Sequence, residues 1–528
     1  MNQPTSTRSF PSKYPVGVQT FREIREEGYL YIDKTEYIAK LLNGKYYFLS
    51  RPRRFGKSLL LSTIEAYFRG ERELFKGLFL DSFTEDWEPH PILHIDLNNG
   101  IYDTKEGLIK LLELHIAEWE KFFAISDENT ENYGFNLRFS RVIKEACVKT
   151  GKKVVILVDE YDKPLLNAVN DERLSDELRG VLKALYSNLK TMDRYIEFAM
   201  LTGVARFSKV SIFSDLNNLN DISFVDEYAG ICGITAKEFD LYFHQPLTKL
   251  ADYLDLDREA LKEELKRLYD GYHFTEKSPD VYNPFSIMNV FANRRLDSYW
   301  FDSGTPTYLM KLIERGHWRL DKLAPTEIER SKLANAGIQT NNPVPVCFQS
   351  GYLTIKEYDP LFKTYMLDYP NEEVKQGFLS FLIPYFIEKN ANDGDFSVKR
   401  FTMAALQGDA DEFMQLMKSM IAGVPYSEKG SAEAHFQNAI YLLFTLMGFY
   451  THTEMRTSNG RIDLTVDTEK FLYIFEFKID SSAEEAMKQI MEKKYWLPYV
   501  KSDMEIILIG ANFDAKERSL SGWIINRL

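Results

Sequence analysis

The segment Tyr46-Tyr-Phe-Leu-Ser-Arg-Pro-Arg-Arg-Phe-Gly-Lys-Ser58, which continues into Leu-Leu-Leu-Ser-Thr-Ile-Glu-Ala-Tyr-Phe68, decides the fold of this chain. It predicts a short apolar strand, a tight loop and an amphipathic helix that begins near Lys57. Free backbone N–H groups and the positive end of the helix dipole make such a helix start suitable for phosphate oxygens. A lysine at this place can reach the outer phosphates, and a serine hydroxyl can ligate Mg²⁺.

The loop departs from the usual phosphate-binding pattern, which has glycine at the position of Arg51. Arg51, Arg53 and Arg54 could form a solvated turn. Three arginines at the positive end of a helix dipole are unfavourable unless an anion occupies the loop, and we therefore favour phosphate binding. The residues assigned to nucleotide binding here are Arg54, Gly56, Lys57 and Ser58.

A second informative segment is Lys153-Val-Val-Ile-Leu-Val-Asp-Glu160, a continuous apolar run that ends in two acids. This pattern predicts a buried parallel strand, whose carboxyl end lies where open α/β sheets bind ligands. Asp159 is then suited to the Mg²⁺ shell, and Glu160 to orienting or deprotonating the attacking water. A strand that ends at solvent is the alternative, but the position after Gly-Lys-Ser and the intervening α/β units favour a site.

A third strand is predicted over Tyr195–Arg206. Thr202 ends its apolar run and could sense the γ-phosphate from a neighbouring strand tip, although a plain strand-end hydroxyl fits the pattern equally well. Arg206 could add positive charge to the same site.

From Gly233 onward the pattern becomes helical, with separate helices predicted for Thr235–Phe243 and Leu247–Leu254. A hairpin is predicted from Phe348–Ile355 and Tyr365–Pro370, and the polar stretch Glu388–Ser397 is the best linker. The predicted domains are therefore an N-terminal domain at 1–232, a helical lid with a winged-helix-like module at 233–390, and a C-terminal domain at 397–528.

The C-terminal domain is predicted to begin with the helices Ser397–Ile421 and Ser431–Met447 and to continue into strands. Asp463 on one strand and the alternating Glu476 and Lys478 on the next place three charged groups on one side of a sheet. Two carboxylates can hold Mg²⁺, and the lysine can activate water or stabilise developing charge on phosphorus. Glu433 on the preceding helix is a further candidate acid. An exposed strand with alternating charges is the alternative, which the apolar Tyr473-Ile-Phe475 disfavours.

Composition limits the class of protein. With 528 residues the chain is too long for one core, and a net charge of −13 argues against bulk electrostatic coating of nucleic acid without excluding a local basic groove. Three scattered cysteines indicate a reducing compartment and no structural zinc. The polar N-terminus and the lack of a long apolar run predict no signal peptide and no membrane span, so we expect a cytoplasmic protein.

The chain resembles a bacterial and archaeal family that joins an AAA-ATPase-like domain to a C-terminal PD-(D/E)xK nuclease-superfamily domain. The resemblance spans nearly the whole sequence, and in that family arginine at the position of Arg51 is normal. The motifs that carry it are Tyr31-Ile-Asp-Lys-Thr35, Phe48–Ser58, Val158-Asp-Glu-Tyr-Asp162, Asn283-Pro-Phe285, Gly460-Arg-Ile-Asp463 and Glu476-Phe-Lys478, with Gln489 and Tyr495.

The resemblance implies an α/β fold: a P-loop NTPase parallel sheet, the helical and winged-helix-like middle module, and a restriction-endonuclease-like C-terminal domain. It implies ATP and Mg²⁺ at Lys57, Ser58, Asp159 and Glu160, and nuclease-type residues at Asp463, Glu476 and Lys478, with Asp463 and Glu476 as metal ligands. We expect nucleic acid as the partner, DNA rather than RNA, no membrane, and allow a homo-oligomer.

Two functional hypotheses remain open at the level of sequence. The first is an ATP-regulated or ATP-driven nuclease, which the intact Asp463, Glu476 and Lys478 favour. The second is a signalling or scaffold ATPase whose nuclease-like domain binds nucleic acid or a partner without cleavage, which the negative net charge of Ser397–Leu528 favours.

Overall fold

The computed structural model describes most of the chain. The described residues are 13–125, 133–168, 171–206, 213, 218–301, 309, 313, 318–333, 342–386, 398–422, 432–448, 452–458, 461–499 and 504–528, with the backbone alone at 384–386, 422, 432–435, 452–458 and 461–463. Two compact units are formed, Met1–Leu312 with Pro325–Val374, and Ile313–Ala324 with Lys375–Leu528. The predicted linker Glu388–Ser397 lies outside the described residues, and the predicted domain boundaries stay predictions.

A five-stranded parallel sheet forms the centre of the first unit. Its strands are β1 (Tyr46–Ser50), β2 (Ile92–Asp96), β3 (Val154–Asp159), β4 (Ile196–Gly203) and β5 (Asn220–Asp221), in the order β2-β3-β4-β1-β5. All four strand pairs are parallel, so every strand ends at the same edge of the sheet. The apolar runs of β1 and β3 are buried throughout, whereas the edge strand β2 alternates between buried and half-buried residues. The predicted α/β fold is confirmed.

Helices alternate with these strands along the chain. In chain order they are α1 (Phe21–Glu26), α2 (Thr35–Leu41), α3 (Lys57–Phe68), α4 (Phe79–Phe83), α5 (Lys105–Phe122), α6 (Phe135–Thr150), α7 (Lys163–Asn167) and α8 (Glu172–Thr191). Leu112 of α5, Val142 of α6 and Leu182 of α8 belong to one buried cluster with the strands. The sheet therefore has a rigid base that fixes the positions of its strand ends.

The remainder of the first unit is mainly helical. Its helices are α9 (Ala236–Leu254), α10 (Arg258–Tyr269), α11 (Pro284–Asn293), α12 (Arg330–Leu333) and α13 (Val344–Ser350), followed by α14 (Glu372–Phe386), within which the division between the units falls. Two small antiparallel sheets complete it: β6 (Ile234–Thr235) with β7 (Val281–Tyr282), and β8 (Thr326–Glu329), β9 (Thr354–Asp359) and β10 (Thr364–Asp368) in the order β8-β10-β9.

Two local predictions in this region were wrong. The two helices expected on either side of Pro246 form the single helix α9, whose buried face includes Phe239, Phe243 and Leu247. Burial of that continuous apolar face outweighs the backbone hydrogen bond that proline cannot donate. The predicted β9–β10 hairpin exists, but Phe348 belongs to α13 rather than to its first strand.

The second unit contains a mixed five-stranded sheet. Its strands are β11 (His452–Ser458), β12 (Arg461–Asp467), β13 (Phe471–Ile479), β14 (Glu505–Asp514) and β15 (Ser519–Arg527), paired in chain order. Its remaining helices are α15 (Val398–Gln407), α16 (Ala410–Ala422), α17 (Ala432–Met447) and α18 (Ala483–Lys493). Only the pair β13–β14 is parallel, and α18 makes the crossover between those strands.

The single helix predicted for Ser397–Ile421 is divided into α15 and α16, a further correction. Gly408 adopts a left-handed φ of 76°, and the Asp409 carboxylate accepts the Glu412 N–H at 3.0 Å, so one helix ends and the next is capped. The final strand β15 was not predicted. Within the described ranges, no helix has both the length and the apolar character needed to cross a membrane.

Candidate nucleotide-binding and nuclease sites

The loop between β1 and α3 has an unusual backbone. Arg54 and Gly56 both have positive φ, 65° and 90°, and α3 begins directly afterwards at Lys57. A Cβ at position 56 would meet nothing within 4 Å, so glycine is favoured there by the backbone conformation rather than by lack of space. Left-handed residues in such a loop turn successive N–H groups toward one side, which creates a concavity suited to anions.

Lys57 is buried at the start of α3 and is held by three oxygen acceptors. Its amine donates to the carbonyl oxygens of Arg51 and Pro52, both at 3.1 Å, and lies 3.5 Å from the Glu160 carboxylate. The loop and the end of β3 therefore meet at this ammonium group.

Asp159 connects three elements through one carboxylate. Ser58 of α3 donates to its Oδ2 at 2.5 Å, and Thr202 of β4 donates to its Oδ1 at 2.6 Å. The carboxylate is almost fully buried, which strengthens these charge-assisted bonds. The structure thus brings together Ser58, Asp159 and Thr202, which sequence analysis had taken from three separate segments.

The turn after Asp159 is strained and firmly held. Glu160 has a φ of 52°, and its N–H donates to Asp159 Oδ1 at 3.1 Å. Two residues later, the buried Asp162 accepts the N–H groups of Val204 at 3.0 Å and Ala205 at 2.5 Å. Burial, together with repulsion from Glu160, raises the pKa of Asp162 from its ordinary value to about 7. The ends of β3 and β4 are therefore joined by a carboxyl group that titrates near neutral pH.

A pocket of about 350 Å³ opens beside these groups. Arg53, Arg54, Gly56, Lys57 and Ser58 line it from the loop, and Asp96, Asn98, Asp159, Glu160 and Lys163 line it from the strand ends. Its remaining wall includes Val18 of the N-terminal segment and Phe285 and Met288 of α11. The guanidinium of Arg54 lies over the Phe285 ring, 4.8 Å from its centre. The pocket thus combines a charged end with an apolar end.

Several of these lining residues were missed at the sequence level. Asp96 is the last residue of β2 and Asn98 follows it closely, so the carboxyl end of this strand was an available signal. Lys163 was detectable only as a charge close to Glu160. The contributions of Val18 and Met288 depend on tertiary folding and leave no local pattern.

Two arginines considered from sequence lie elsewhere. Arg51 is buried, and its guanidinium donates to the carbonyl oxygens of Ser50 and Ser223, both at 2.9 Å, and packs over Phe274. Burial lowers the pKa of Arg51 to about 10. Arg206 is ion-paired with Asp221 and does not line the pocket beside Lys57. Arg51 therefore takes part in holding the backbone rather than facing the pocket, which explains how a side chain replaces the usual glycine.

In the second unit, a series of polar side-chain contacts connects β13 with α18 and Tyr495. Glu476 of β13 is completely buried, and Lys478 lies 3.1 Å from its Oε1. The same lysine donates to Gln489 of α18 at 2.5 Å, and Gln489 donates to the Tyr495 hydroxyl at 3.3 Å. Phe475 and Phe477, the neighbours of Glu476 in β13, are also buried.

Asp463 lies directly opposite Glu476 in the antiparallel pairing of β12 with β13. Opposite positions of such a pair share one face of the sheet. The side chains of Asp463 and of the further candidate Glu433 lie outside the described residues. The register therefore brings positions 463 and 476 together at the level of the backbone.

The two sites differ in the oxygen donors that they offer to a divalent cation. Among the described side chains, no three His, Cys, Asp or Glu residues form a group that could hold a metal ion alone. Ser58 and Asp159 supply a hydroxyl and a carboxylate, the hard oxygen donors that Mg²⁺ takes together with phosphates and water. The first site thus fits Mg²⁺ as a partner of a bound nucleotide rather than as an ion held by protein alone.

Comparison with known proteins gives matches in both units. A family model described as "Predicted AAA-ATPase" matches residues 15–213, and one described as "PD-(D/E)XK nuclease superfamily" matches residues 431–523. The chain is also 35% identical, over 531 residues, to an "Uncharacterized protein in vnfD 5'region" of Azotobacter chroococcum mcd 1. That similarity covers 98% of this chain and 99% of the other protein.

Proposed function

The chain belongs to the family that joins a predicted AAA-ATPase domain to a C-terminal PD-(D/E)XK nuclease-superfamily domain, and we propose that it binds and hydrolyses ATP with Mg²⁺ and cleaves nucleic acid, DNA rather than RNA. The observation that carries the proposal is the convergence of Lys57, Ser58, Asp159 and Glu160 on one pocket of about 350 Å³.

The charged end of the pocket suits the phosphates. Lys57 is the principal positive charge for the outer phosphates, and the left-handed backbone at Arg54 and Gly56 offers N–H groups. Ser58 and Asp159 would hold Mg²⁺, which when bound offsets phosphate charge and orients the phosphate oxygens. Glu160 is the proposed base for the attacking water, and Thr202 fixes the Asp159 carboxylate from the neighbouring strand.

The apolar end of the pocket suits the nucleobase. Val18, Phe285 and Met288 provide a surface for a flat aromatic ring. The pocket volume of about 350 Å³ is within the range of small-ligand sites, roughly 300–1,000 Å³. Because base and phosphates occupy different walls, both the N-terminal segment and α11 contribute to affinity.

The direct test measures Mg²⁺-dependent ATP binding by Lys57→Ala and a control. Loss of an ammonium that contacts phosphate removes a charge-assisted interaction of about 1.5–3 kcal/mol, so affinity should fall at least ~10-fold. Lys144→Ala, an exposed lysine of α6 outside the pocket, is the matched control and should bind ATP normally. Unchanged affinity in a folded Lys57→Ala protein would rule out the proposed phosphate site.

Glu160→Gln tests hydrolysis separately from binding. The amide keeps the shape of the side chain but cannot accept a proton, so turnover should fall about 10²–10⁴-fold while ATP still binds. Steady-state phosphate release measures the effect. Equal turnover in variant and wild type would assign activation of water to another residue.

The second unit carries the proposed nuclease activity. Asp463 and Glu476 would hold Mg²⁺, and Lys478 would stabilise charge that develops at the phosphodiester. Gln489 and Tyr495 orient the lysine through the hydrogen bonds described above. Asp463→Ala should abolish Mg²⁺-dependent cleavage of DNA or RNA and leave ATP binding intact. Cleavage that persists in this variant would exclude the site.

Complete burial of Glu476 favours the alternative of a nuclease-like domain that binds nucleic acid or a partner without cutting. A metal ligand must be reached by the ion, and this carboxylate is already ion-paired with Lys478. A cleavage assay on single- and double-stranded DNA and RNA, with and without ATP and Mg²⁺, separates the two functions. Nucleic-acid binding without product in every condition would select the alternative.

A further inference from the structure

Among the described residues, four cationic side chains line the nucleotide pocket, and they come from two different parts of the chain. Arg53, Arg54 and Lys57 belong to the loop around the start of α3, whereas Lys163 follows β3. The Lys57 amine already donates to two carbonyl oxygens and is ion-paired with Glu160. The described part of the chain provides no ion pair or hydrogen bond to the Lys163 amine, which is half-buried at the pocket wall.

The backbone that carries Lys163 is held in place by several bonds. Its N–H donates to the Glu160 carbonyl at 2.9 Å, and the Tyr161 N–H donates to the Thr202 carbonyl at 2.9 Å. The Tyr161 hydroxyl donates to the Ala205 carbonyl at 2.7 Å, and Asp162 accepts two further N–H groups at the end of β4. A turn fastened in this way keeps the Cα of Lys163 fixed while its flexible stem remains able to extend.

Charge around the pocket explains what this lysine can do. The strand ends contribute Asp96, Asp159 and Glu160, which would repel a terminal phosphate approaching from that side. Lys163 adds a positive charge to the pocket wall only a few residues after Asp159 and Glu160. A terminal phosphate between the loop and the turn would therefore meet a positive group from each element.

We propose that Lys163 is a second phosphate-binding lysine, which contacts the terminal phosphate of ATP and stabilises the charge that develops on it during hydrolysis. The proposal rests on the proposed ATP site and adds to it a cation from the turn after β3, supplied by the same chain. Such a contact distinguishes ATP from ADP, because ADP lacks the phosphate that it binds. Stabilisation of transferred phosphoryl charge by a positioned cation has large effects on rate.

The test compares Lys163→Met and Lys163→Arg with wild type and with Lys144→Met as the exposed control. Dissociation constants are measured for MgATP and MgADP, followed by single-turnover hydrolysis. Lys163→Met should weaken ATP about 10-fold, change ADP less than about 2-fold, and slow hydrolysis by about 10²–10³-fold. Lys163→Arg keeps the charge and should recover most of the ATP preference, and Lys144→Met should match wild type.

The outcomes separate this inference from the function on which it rests. Absence of ATP binding by wild type would overturn both. Normal wild-type binding with an unchanged ATP-to-ADP ratio in Lys163→Met would overturn the role of Lys163 alone. Equal weakening of ATP and ADP would also overturn it, because the lysine would then act on the inner phosphates or on the fold.

Discussion

Replacement of Asp162 by asparagine should change how the stability of the first unit depends on pH. Asp162 has an ordinary pKa of 3.8 and a pKa of about 7 in the folded protein. Between these values the folded state binds more protons than the unfolded state, so the free energy of unfolding falls as the pH rises. At about 1.4 kcal/mol for each pH unit, the loss between pH 4 and pH 7 approaches ~4 kcal/mol.

Asparagine carries no titratable proton, and its side-chain oxygen can still accept the N–H groups of Val204 and Ala205. Asp162→Asn and wild type should therefore have similar stability below pH 4, and the variant should be about 1.5 kcal/mol more stable at pH 5 and about 4 kcal/mol more stable at pH 8.

Urea unfolding of the nucleotide-free protein at pH 5, 6, 7 and 8 measures the effect, and the difference between variant and wild type at each pH cancels all other titrations. Asp252→Asn, an exposed aspartate of α9, is the control and should give a difference that does not change with pH. If the Asp162→Asn difference were equally flat, a neutral carboxyl group at this position would be refuted.

Three further substitutions test other contacts. Arg51→Gly introduces the usual loop glycine but leaves buried carbonyl oxygens without their donor. It should lower the free energy of unfolding, measured by urea titration, by about 3–5 kcal/mol. An unchanged free energy of unfolding would contradict a structural role for Arg51. Gly203→Ala places a Cβ 2.5 Å from Asp162 Oδ1 and should cost about 1–3 kcal/mol in the same assay, and a neutral effect would contradict this packing. Gln489→Leu removes the hydrogen bond to Lys478 and should reduce the rate of nucleic-acid cleavage about 10–100-fold without weakening ATP binding. An unchanged rate of cleavage would show that Gln489 is not required to orient Lys478.

The elements that sequence predicted well are those whose apolar pattern is continuous. β1 and β3 are parallel strands buried along their whole length, β4 is buried except at Glu197, and the loop before Lys57 follows the first of them. Their ends had to meet once the strands were parallel, so the meeting of Ser58 with Asp159 was foreseeable. The register of Asp463 with Glu476 followed similarly from alternation along two neighbouring strands.

Other features depend on contacts that no local pattern records. Whether Pro246 interrupts a helix depends on how much apolar surface the neighbouring turns bury, and here that surface keeps α9 continuous. The direction of the Arg51 side chain depends on carbonyl groups near residues 223 and 228. The raised pKa of Asp162 arises from complete burial, and burial of a single carboxylate cannot be read from its neighbours in sequence.

In the pocket without ligand, the Glu160 carboxylate pairs with the Lys57 ammonium, the group that we propose binds phosphate. A phosphate that takes the Lys57 ammonium must compete with that carboxylate, and its arrival would leave Glu160 free to accept a proton. The proposed base would thereby stay inactive until a suitable anion is present. Adenosine, which has no phosphate to offer, should bind without releasing Glu160, so occupancy and readiness for hydrolysis become separable properties of one pocket.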